Sequence, residues 1–186
     1  ALGSGTVTVN STGTLWFKPG GSSTVFSFAP SFVLNGGTVT GEDGIQRLGT
    51  GSGATVNIGA SGGTVQATWS GKDVYIDGQL TGSGPLTISH GPTGGSAATV
   101  HLTNNANTYA GTVGVSGTGT GAILAIDAPN VLQNATIDLN PGTPGTLMLG
   151  TVGMTYNVPS LTGSAGTIKP NTTAGIYTLG INNSAD

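Results

Sequence analysis

Short runs of β-branched and aliphatic residues recur along the whole chain, and their spacing is the feature that most restricts its fold. Each run has four to six residues, and the next begins roughly 8–12 residues later, as in all-β proteins. Glycine, asparagine, aspartate, serine or proline bounds each run, which is typical of strands joined by turns. The strongest helical pattern, residues 128–134, has room for one short turn. The sequence therefore predicts an all-β fold.

The breaks between these runs favour a β-solenoid over the two alternatives, a sandwich and a barrel. Dipeptides typical of tight hairpins are scarce, since Asn-Gly occurs once, at Asn35, and Asp-Gly twice, at Asp43 and Asp77. Most breaks are looser, of the Gly-Ser-Gly or Thr-Gly-Thr-Gly kind. In a solenoid such bends turn the chain from one face of a coil to the next, and each strand pairs with the strand one coil later.

Composition excludes several classes of function. Of 186 residues, 35 are glycine, 4 are lysine or arginine, 7 are acidic and none is cysteine. Four scattered basic residues cannot form the phosphate-binding patch of a nucleic-acid-binding protein. Without cysteine there are no disulfides, cysteine-ligated zinc or thiol catalysis, and no apolar run approaches the about 20 residues of a membrane-spanning helix. Because 35% of residues are apolar and only 6% are charged, the composition is not that of a disordered chain.

A longer-range similarity relates the start of the chain to its last third, at a distance of about 130 residues, and indicates an internal repeat. The shared residues are leucine, glycine, threonine and proline, with apolar matches between them, so the similarity belongs to the scaffold. The aligned segments are residues 1–10 with 131–140, 13–15 with 145–147, 30–32 with 159–161, and 37–39 with 166–168.

This similarity predicts a single solenoid over residues 1–186, in which residues 1–130 form one long unit and residues 131–186 begin a second. We expect such a chain to be a window on a longer array. With about 20–25 residues per coil and about 4.8 Å between coils, the rod would be roughly 35–45 Å long. Valine, isoleucine and leucine would stack inside it, and threonine, serine and asparagine would coat the outside.

Residues 102–113 read Leu-Thr-Asn-Asn-Ala-Asn-Thr-Tyr-Ala-Gly-Thr-Val and resemble the autotransporter-associated β-strand repeat. The lead-in at residues 80–88 is also similar, whereas the usual Gly-Gly of the motif is replaced by Ala-Gly at residues 110–111. The resemblance implies a right-handed parallel β-helix in a large secreted or surface-displayed bacterial protein that acts in adhesion, aggregation or as a stalk. It therefore implies an extracellular or cell-surface location.

This motif also has a physical interpretation, which we favour over ligand binding. Tyr109 beside Gly111 indicates an aromatic ring that covers a bend where the backbone passes closely, as only glycine permits. Asn104, Asn105 and Asn107 suit corner positions in the left-handed region and can hydrogen-bond to the backbone of the bend.

The acidic residues do not form the cluster of a polysaccharide lyase, which would need several aspartates and a lysine or arginine on one face. Glu42 and Asp43 fall in a turn near Arg47 and are predicted to be solvated. Asp73 and Asp77 share one strand face at a separation of about 13 Å, beyond the roughly 5–9.5 Å of glycosidase pairs. We therefore expect no enzyme, no cofactor and no metal site.

The two histidines give no catalytic signal either. His90 follows a predicted strand and is expected in a loop. Alternation with Val100 places His101 on the outer face of its strand. Neither has a neighbouring aspartate and serine in the sequence from which a catalytic triad could be built.

Aromatic residues provide the candidate contacts with glycans or with another subunit. The neighbours Trp16 and Phe17 cannot both point inward on one strand, so one of them should be exposed. Tyr75 lies on the polar face of a strand whose Val74 and Ile76 point inward. The candidate contact residues are Trp16, Trp69 and Tyr75.

The sequence favours a structural role in a secreted or surface-displayed bacterial protein, as a stalk, adhesin or fibre subunit. Its predicted partner is a second solenoid, joined end to end through the open edges of the terminal coils. The alternative is a glycan-binding adhesin surface, and less favoured ones are a polysaccharide-lyase-like enzyme and an ice-binding solenoid. Pairs such as Thr38 and Thr40 suit ice binding, but these pairs do not recur at one fixed distance along the chain.

Overall fold

The computed structural model describes residues 2–3, 5–18, 24–69, 71–91, 97–117, 121–172 and 174–181. These residues contain twenty strands and no helix, so none of them forms a helix that could cross a membrane. The strands are β1 (Val7–Asn10), β2 (Thr14–Phe17), β3 (Val25–Phe28), β4 (Phe32–Asn35), β5 (Thr38–Gly41), β6 (Ile45–Leu48), β7 (Thr55–Ile58), β8 (Gly63–Ala67), β9 (Val74–Ile76), β10 (Gln79–Gly82), β11 (Leu86–His90), β12 (Ala98–Leu102), β13 (Thr112–Ser116), β14 (Ala122–Ile126), β15 (Thr136–Asp138), β16 (Thr146–Leu149), β17 (Thr155–Val158), β18 (Ser160–Thr162), β19 (Thr167–Pro170) and β20 (Thr178–Ile181).

The strands form four parallel sheets that run along a stack of turns. Sheet 1 has the order β1-β4-β7-β10, sheet 2 the order β2-β5-β8-β11-β13-β15-β18, and sheet 3 the order β3-β6-β9-β12-β14-β16-β19, while sheet 4 pairs β17 with β20. Each strand pairs in parallel with the strand one turn later. The chain is therefore a β-solenoid of about seven turns. This confirms the β-solenoid that was predicted from the loose bends between the strands.

The length of a turn varies from place to place. In sheet 1 one turn leads from Val7 to Phe32 and the next from Phe32 to Val56. In sheet 3 the turn from Val25 to Ile45 is a shorter step along the chain. Seven strands at a spacing of about 4.8 Å give a stack roughly 34 Å tall, just below the expected range of lengths.

The core consists of aliphatic side chains that occupy the same register in successive turns. Alternation along each strand sends every second side chain inward, and burying one of these aliphatic groups contributes about 1.5–3 kcal/mol. One such column in sheet 2 contains Leu15, Val39, Val65, Ile88 and Val115.

The long-range similarity between the start of the chain and its last third relates segments that lie on different sheets. β1 lies in sheet 1, whereas the segment aligned with it contains β15 of sheet 2; likewise β2 lies in sheet 2, whereas its counterpart β16 lies in sheet 3. These aligned segments are thus displaced by one face of the solenoid. The structural repeat is the single turn, and the division into two long units stays a prediction.

Sheet 1 ends at β10, but the chain continues to pass over the same face. Backbone hydrogen bonds from Thr108 to Leu80 and from Ala110 to Gly82 join residues 103–111 to β10. One turn later, residues 128–134 form turns without a helix, as expected from their length. The repeat-like motif therefore lies where regular strand pairing is interrupted.

Candidate functional site

Charged side chains form bridges between neighbouring turns. Lys18 Nζ lies 2.9 Å from Glu42 Oε1. Arg47 binds Asp77 through both carboxylate oxygens, with Nε 2.8 Å from Oδ2 and Nη2 2.9 Å from Oδ1. The prediction that Glu42 is solvated is wrong, because it is only 6% exposed. The neighbour of Arg47 in the sequence is Asp43, but its ion-pair partner comes from the next turn.

Tyr75 lies in a stack of three side chains on the outer face of sheet 3. Arg47, Tyr75 and His101 occupy one register on β6, β9 and β12. The guanidinium carbon lies 4.7 Å from the centre of the Tyr75 ring, and the Tyr75 and His101 rings stack at 4.2 Å with an angle of 5° between them. Because β9 lies between the other two strands, these neighbours cover both ring faces, which leaves no face for stacking against a sugar.

His101 is held between two carboxylates from different turns. Its Nδ1 lies 2.7 Å from Asp127 Oδ2 and its Nε2 lies 3.7 Å from Asp73 Oδ2. Asp73 also accepts a hydrogen bond from the Thr99 backbone N–H through Oδ1. The side chain of His101 points outward as predicted, and its two aspartate partners, which are distant in the sequence, were not predicted. One partner precedes it and the other follows it by about one turn, a separation that identifies them only once the register of the stacked strands is known.

The charges around His101 determine its protonation. Burial alone lowers the pKa of the imidazole, but hydrogen bonds to Asp127 and Asp73 and their negative charges outweigh this effect and raise the pKa to about 9. At neutral pH the ring is therefore a cation. It donates from Nδ1 to Asp127, and its Nε2 faces Asp73 at ion-pair distance. A nucleophilic triad needs one ring nitrogen beside a hydroxyl, whereas here both face carboxylates. The arrangement is an electrostatic bridge across three turns.

No group of three or more histidine, cysteine, aspartate or glutamate side chains within the described ranges could hold a metal ion. The outer face of sheet 3 does contain an open cleft of about 430 Å³ beside His101, whose lining includes Thr99, Ile123, Met148 and Lys169. Apart from His101 and Asp73, which already bind each other, its lining carries no pair of acid and base.

The three aromatic residues predicted as contacts do not form one site. Trp16 points outward from β2 in sheet 2 and is 48% exposed, whereas Phe17 is 8% exposed and stacks on Phe28 at 4.2 Å. The prediction that one of these neighbours is exposed is confirmed. Trp69, which is 41% exposed, follows β8 in the connection to sheet 3, where Tyr75 lies. Glycan contact at these residues stays a prediction.

His90 is not in a loop. It is the last residue of β11, points inward with Leu86 and Ile88, and is 6% exposed. Its Nδ1 lies 2.8 Å from the Gly91 carbonyl oxygen. The expectation failed because the strand continues further than its β-branched pattern indicated.

The physical interpretation of Tyr109 and Gly111 is confirmed. Tyr109 is 1% exposed, and its hydroxyl donates to the Gly84 carbonyl at 2.7 Å and lies 2.9 Å from the Thr112 carbonyl. Burial raises the pKa of Tyr109 to about 12, so the hydroxyl keeps its proton. A Cβ on Gly111 would lie 2.5 Å from the Tyr109 hydroxyl and 2.6 Å from the Gly84 carbonyl oxygen.

The asparagines of the motif act through hydrogen bonds and not through left-handed backbone. Among the described residues, Thr12 is the non-glycine residue with positive φ, so the prediction of left-handed Asn104, Asn105 and Asn107 is wrong. Asn107 instead accepts a hydrogen bond from the Leu80 N–H at 2.7 Å and donates to the Val131 carbonyl at 3.0 Å. Its two hydrogen bonds connect the turn of Asn107 to the turns before and after it, on the face where sheet 1 has ended. They take the place of strand pairing there.

Comparison of the chain with protein-family models, with curated proteins and with solved structures finds no significant match. The site residues are therefore interpreted from their geometry.

Proposed function

We propose that this chain is a structural segment of a large secreted or surface-displayed bacterial protein of the autotransporter-associated kind, and that it lengthens a stalk or fibre by stacking coil on coil. It would perform no catalysis. The observation that carries the proposal is that the outermost described strands and exposed apolar side chains coincide at the two ends of the solenoid. The location outside the cell is supported by the resemblance of residues 102–113 alone.

Among the described residues, the last turn combines the outermost strands with exposed apolar side chains. β18, β19 and β20 are the outermost strands of their sheets. The exposed fraction is 45% for Ile168, 79% for Ile176 and 44% for Ile181. Ile168 lies in register with the buried Leu147 of the preceding turn, so it has the register of a core residue in the outermost described strand of sheet 3.

The end formed by the first turn offers the complementary edge. β1, β2 and β3 are the outermost strands at that end, and Leu2 and Val25 are exposed there. Because every turn runs in the same direction, the last turn of one copy presents to the first turn of another the same edge that internal turns present to each other. Contacts between two different surfaces of this kind produce open filaments, and unpaired edges recruit further strands.

The sides of the solenoid fit a mechanical role. Lys18, Arg47 and His101 each bridge at least two turns, so the scarce charges hold neighbouring coils together. None of these groups is arranged around a reacting centre in the part of the chain that the structure describes. Such bridges stiffen a rod. The rest of its polar surface consists mainly of hydroxyl and amide groups.

End-to-end stacking is tested by sedimentation velocity and negative-stain electron microscopy over a range of protein concentrations. We expect the wild-type chain to form elongated species whose size grows with concentration. Ile168→Lys places a charge on the stacking surface and should reduce the chain to monomers. Thr87→Lys, on the outer face of a middle turn, is the matched control and should assemble like the wild type. A wild-type chain that stays monomeric at every concentration would contradict the proposal.

A further inference from the structure

We propose that the outer face of sheet 2 binds a neutral polysaccharide, with Trp16 as the anchoring side chain. This face is a long side of the solenoid, and Trp16 lies on β2, the first strand of that face.

The outward side chains of sheet 2 form ladders of hydroxyl groups. Thr14, Thr38, Thr64 and Thr87 lie in one register on four consecutive strands. Their separations in the sequence are unequal, because the turns differ in length. In space, however, these residues lie on adjacent strands in register, so their hydroxyl groups form a row with a regular spacing of about 4.8 Å.

The neighbouring row is fixed by its own hydrogen bonds. It begins at Trp16 and continues in register through Thr40, which is buried, and through Gln66 and Ser89, which are half-buried. Thr40 donates to Gln66 Oε1 at 3.0 Å, and Gln66 Nε2 donates to Ser89 Oγ at 3.1 Å. Side chains that are already held in one rotamer by hydrogen bonds lose little conformational entropy when a ligand binds.

Trp16 gives this polar face one large apolar contact. Its side chain is 48% exposed, and together with Thr14, Thr40 and Gln66 it lines an open cleft of about 270 Å³. A sugar ring has an apolar C–H face and polar edges. An indole beside the exposed Thr14 hydroxyl and the half-buried Gln66 amide matches both, because aromatic side chains combine a large apolar surface with specific geometry.

The charge of the face selects a neutral ligand. The seven strands of sheet 2 contain one acidic residue, Asp138, and no lysine or arginine. Lys18 follows β2, with Nζ 5.9 Å from the centre of the Trp16 ring, but it is paired with Glu42. The strands of sheet 2 therefore offer no row of cationic side chains that could neutralise a nucleic acid or other polyanion and release its counterions.

The same face is too polar for a protein partner. A protein would need an apolar interface core, and Trp16 is the one large apolar side chain that points outward from the strands of sheet 2. An uncharged polysaccharide fits both the charge and the polarity of this surface.

Affinity electrophoresis in gels that contain dextran or galactomannan, and pull-down on cellulose and chitin, test the proposal. We expect at least one of these neutral polysaccharides to retain the wild-type chain, and polygalacturonate to have no effect. Trp16→Ala should weaken the interaction about fivefold, since an aromatic contact contributes on the order of 1 kcal/mol and about 1.4 kcal/mol corresponds to tenfold. Trp69→Ala removes the other exposed tryptophan from a position off the sheet and should change retention less than about twofold.

Fluorescence gives a second, independent measurement. The chain has two tryptophans, so Trp69→Phe leaves Trp16 as the sole indole, and its emission should shift when the retained polysaccharide is added. Failure of every neutral polysaccharide to bind would overturn the proposal. So would equal losses in the Trp16→Ala and Trp69→Ala variants, or thermal hysteresis in ice without polysaccharide binding, which would assign the face to ice.

Discussion

At the scale of single residues, the solenoid depends on a few side chains that hydrogen-bond to the backbone where strand pairing stops. Tyr109 and Asn107 do so on the face where sheet 1 ends. They form hydrogen bonds with the backbone of Gly84, Leu80 and Val131. Both are buried, so their polar atoms would be left without partners if these contacts were lost. Two substitutions isolate this contribution.

Gly111→Ala should lower the free energy of unfolding by about 1–3 kcal/mol, because overpacking forces the backbone or the Tyr109 hydroxyl to move. The new Cβ would lie 2.6 Å from the Gly84 carbonyl oxygen. Gly5→Ala is the matched control, since no atom lies within 4 Å of the Cβ it would add. Urea unfolding followed by circular dichroism measures both. Equal stabilities of the two variants would show that the close approach is relaxed in solution.

Asn107→Ala should cost about 2–4 kcal/mol, because it leaves both the Leu80 N–H and the Val131 carbonyl without a partner in the protein. Asn105→Ala changes an exposed asparagine in the same motif and should be close to neutral. Hydrogen exchange at the Leu80 amide checks the cause, since this amide should lose protection in the Asn107→Ala variant alone. Unchanged protection would contradict the bridging role.

At the scale of strands and sheets, alternation in the sequence predicts which side chains point inward, and the structure agrees at Val74 and Ile76. It does not predict which outward side chains meet. Ion-pair partners are set by the length of the turns, and this length varies within sheet 3 alone, where Val25 pairs with Ile45 but Arg47 with Tyr75. The bridges from His101 to its two carboxylates therefore follow from the register of the stacked strands, which no local pattern encodes.

The bridge at His101 makes stability depend on pH. The pKa of His101 is raised from 6.5 to about 9 by Asp127 and Asp73, against the opposing effect of burial. A raised pKa means that the stabilisation is fully present below about pH 6.5 and is lost as the pH rises through about 9, an effect on the order of 3 kcal/mol.

His101→Gln tests this dependence, because glutamine keeps a polar side chain but does not titrate. The wild-type free energy of unfolding should fall between about pH 6.5 and 9, whereas that of His101→Gln should change much less across this range. Urea titrations at several pH values measure the slope. The same slope in both proteins would show that another group is responsible.

At the scale of the whole molecule, the long-range similarity in the sequence and the observed turns describe different things. The similarity records residue types that suit bends and strands, and it aligns segments that lie on different sheets. The fold is the repetition of one turn, which the spacing of strands and loose bends predicts. The exposure of Ile168 could not be predicted from the sequence, since its strand has the pattern of a core strand and its exposure depends on the place of β19 as the outermost described strand of sheet 3.

The axial repeat of the assembled chain tests the central claim, that this protein lengthens by stacking coil on coil. If the last turn of one copy pairs with the first turn of the next as internal turns do, each copy adds about seven strand spacings. Helical reconstruction from electron micrographs should then give a rise of about 34 Å per copy, with a strong layer line near 4.8 Å. A rise much larger than this, or assemblies in which the solenoids contact each other side by side, would contradict the account.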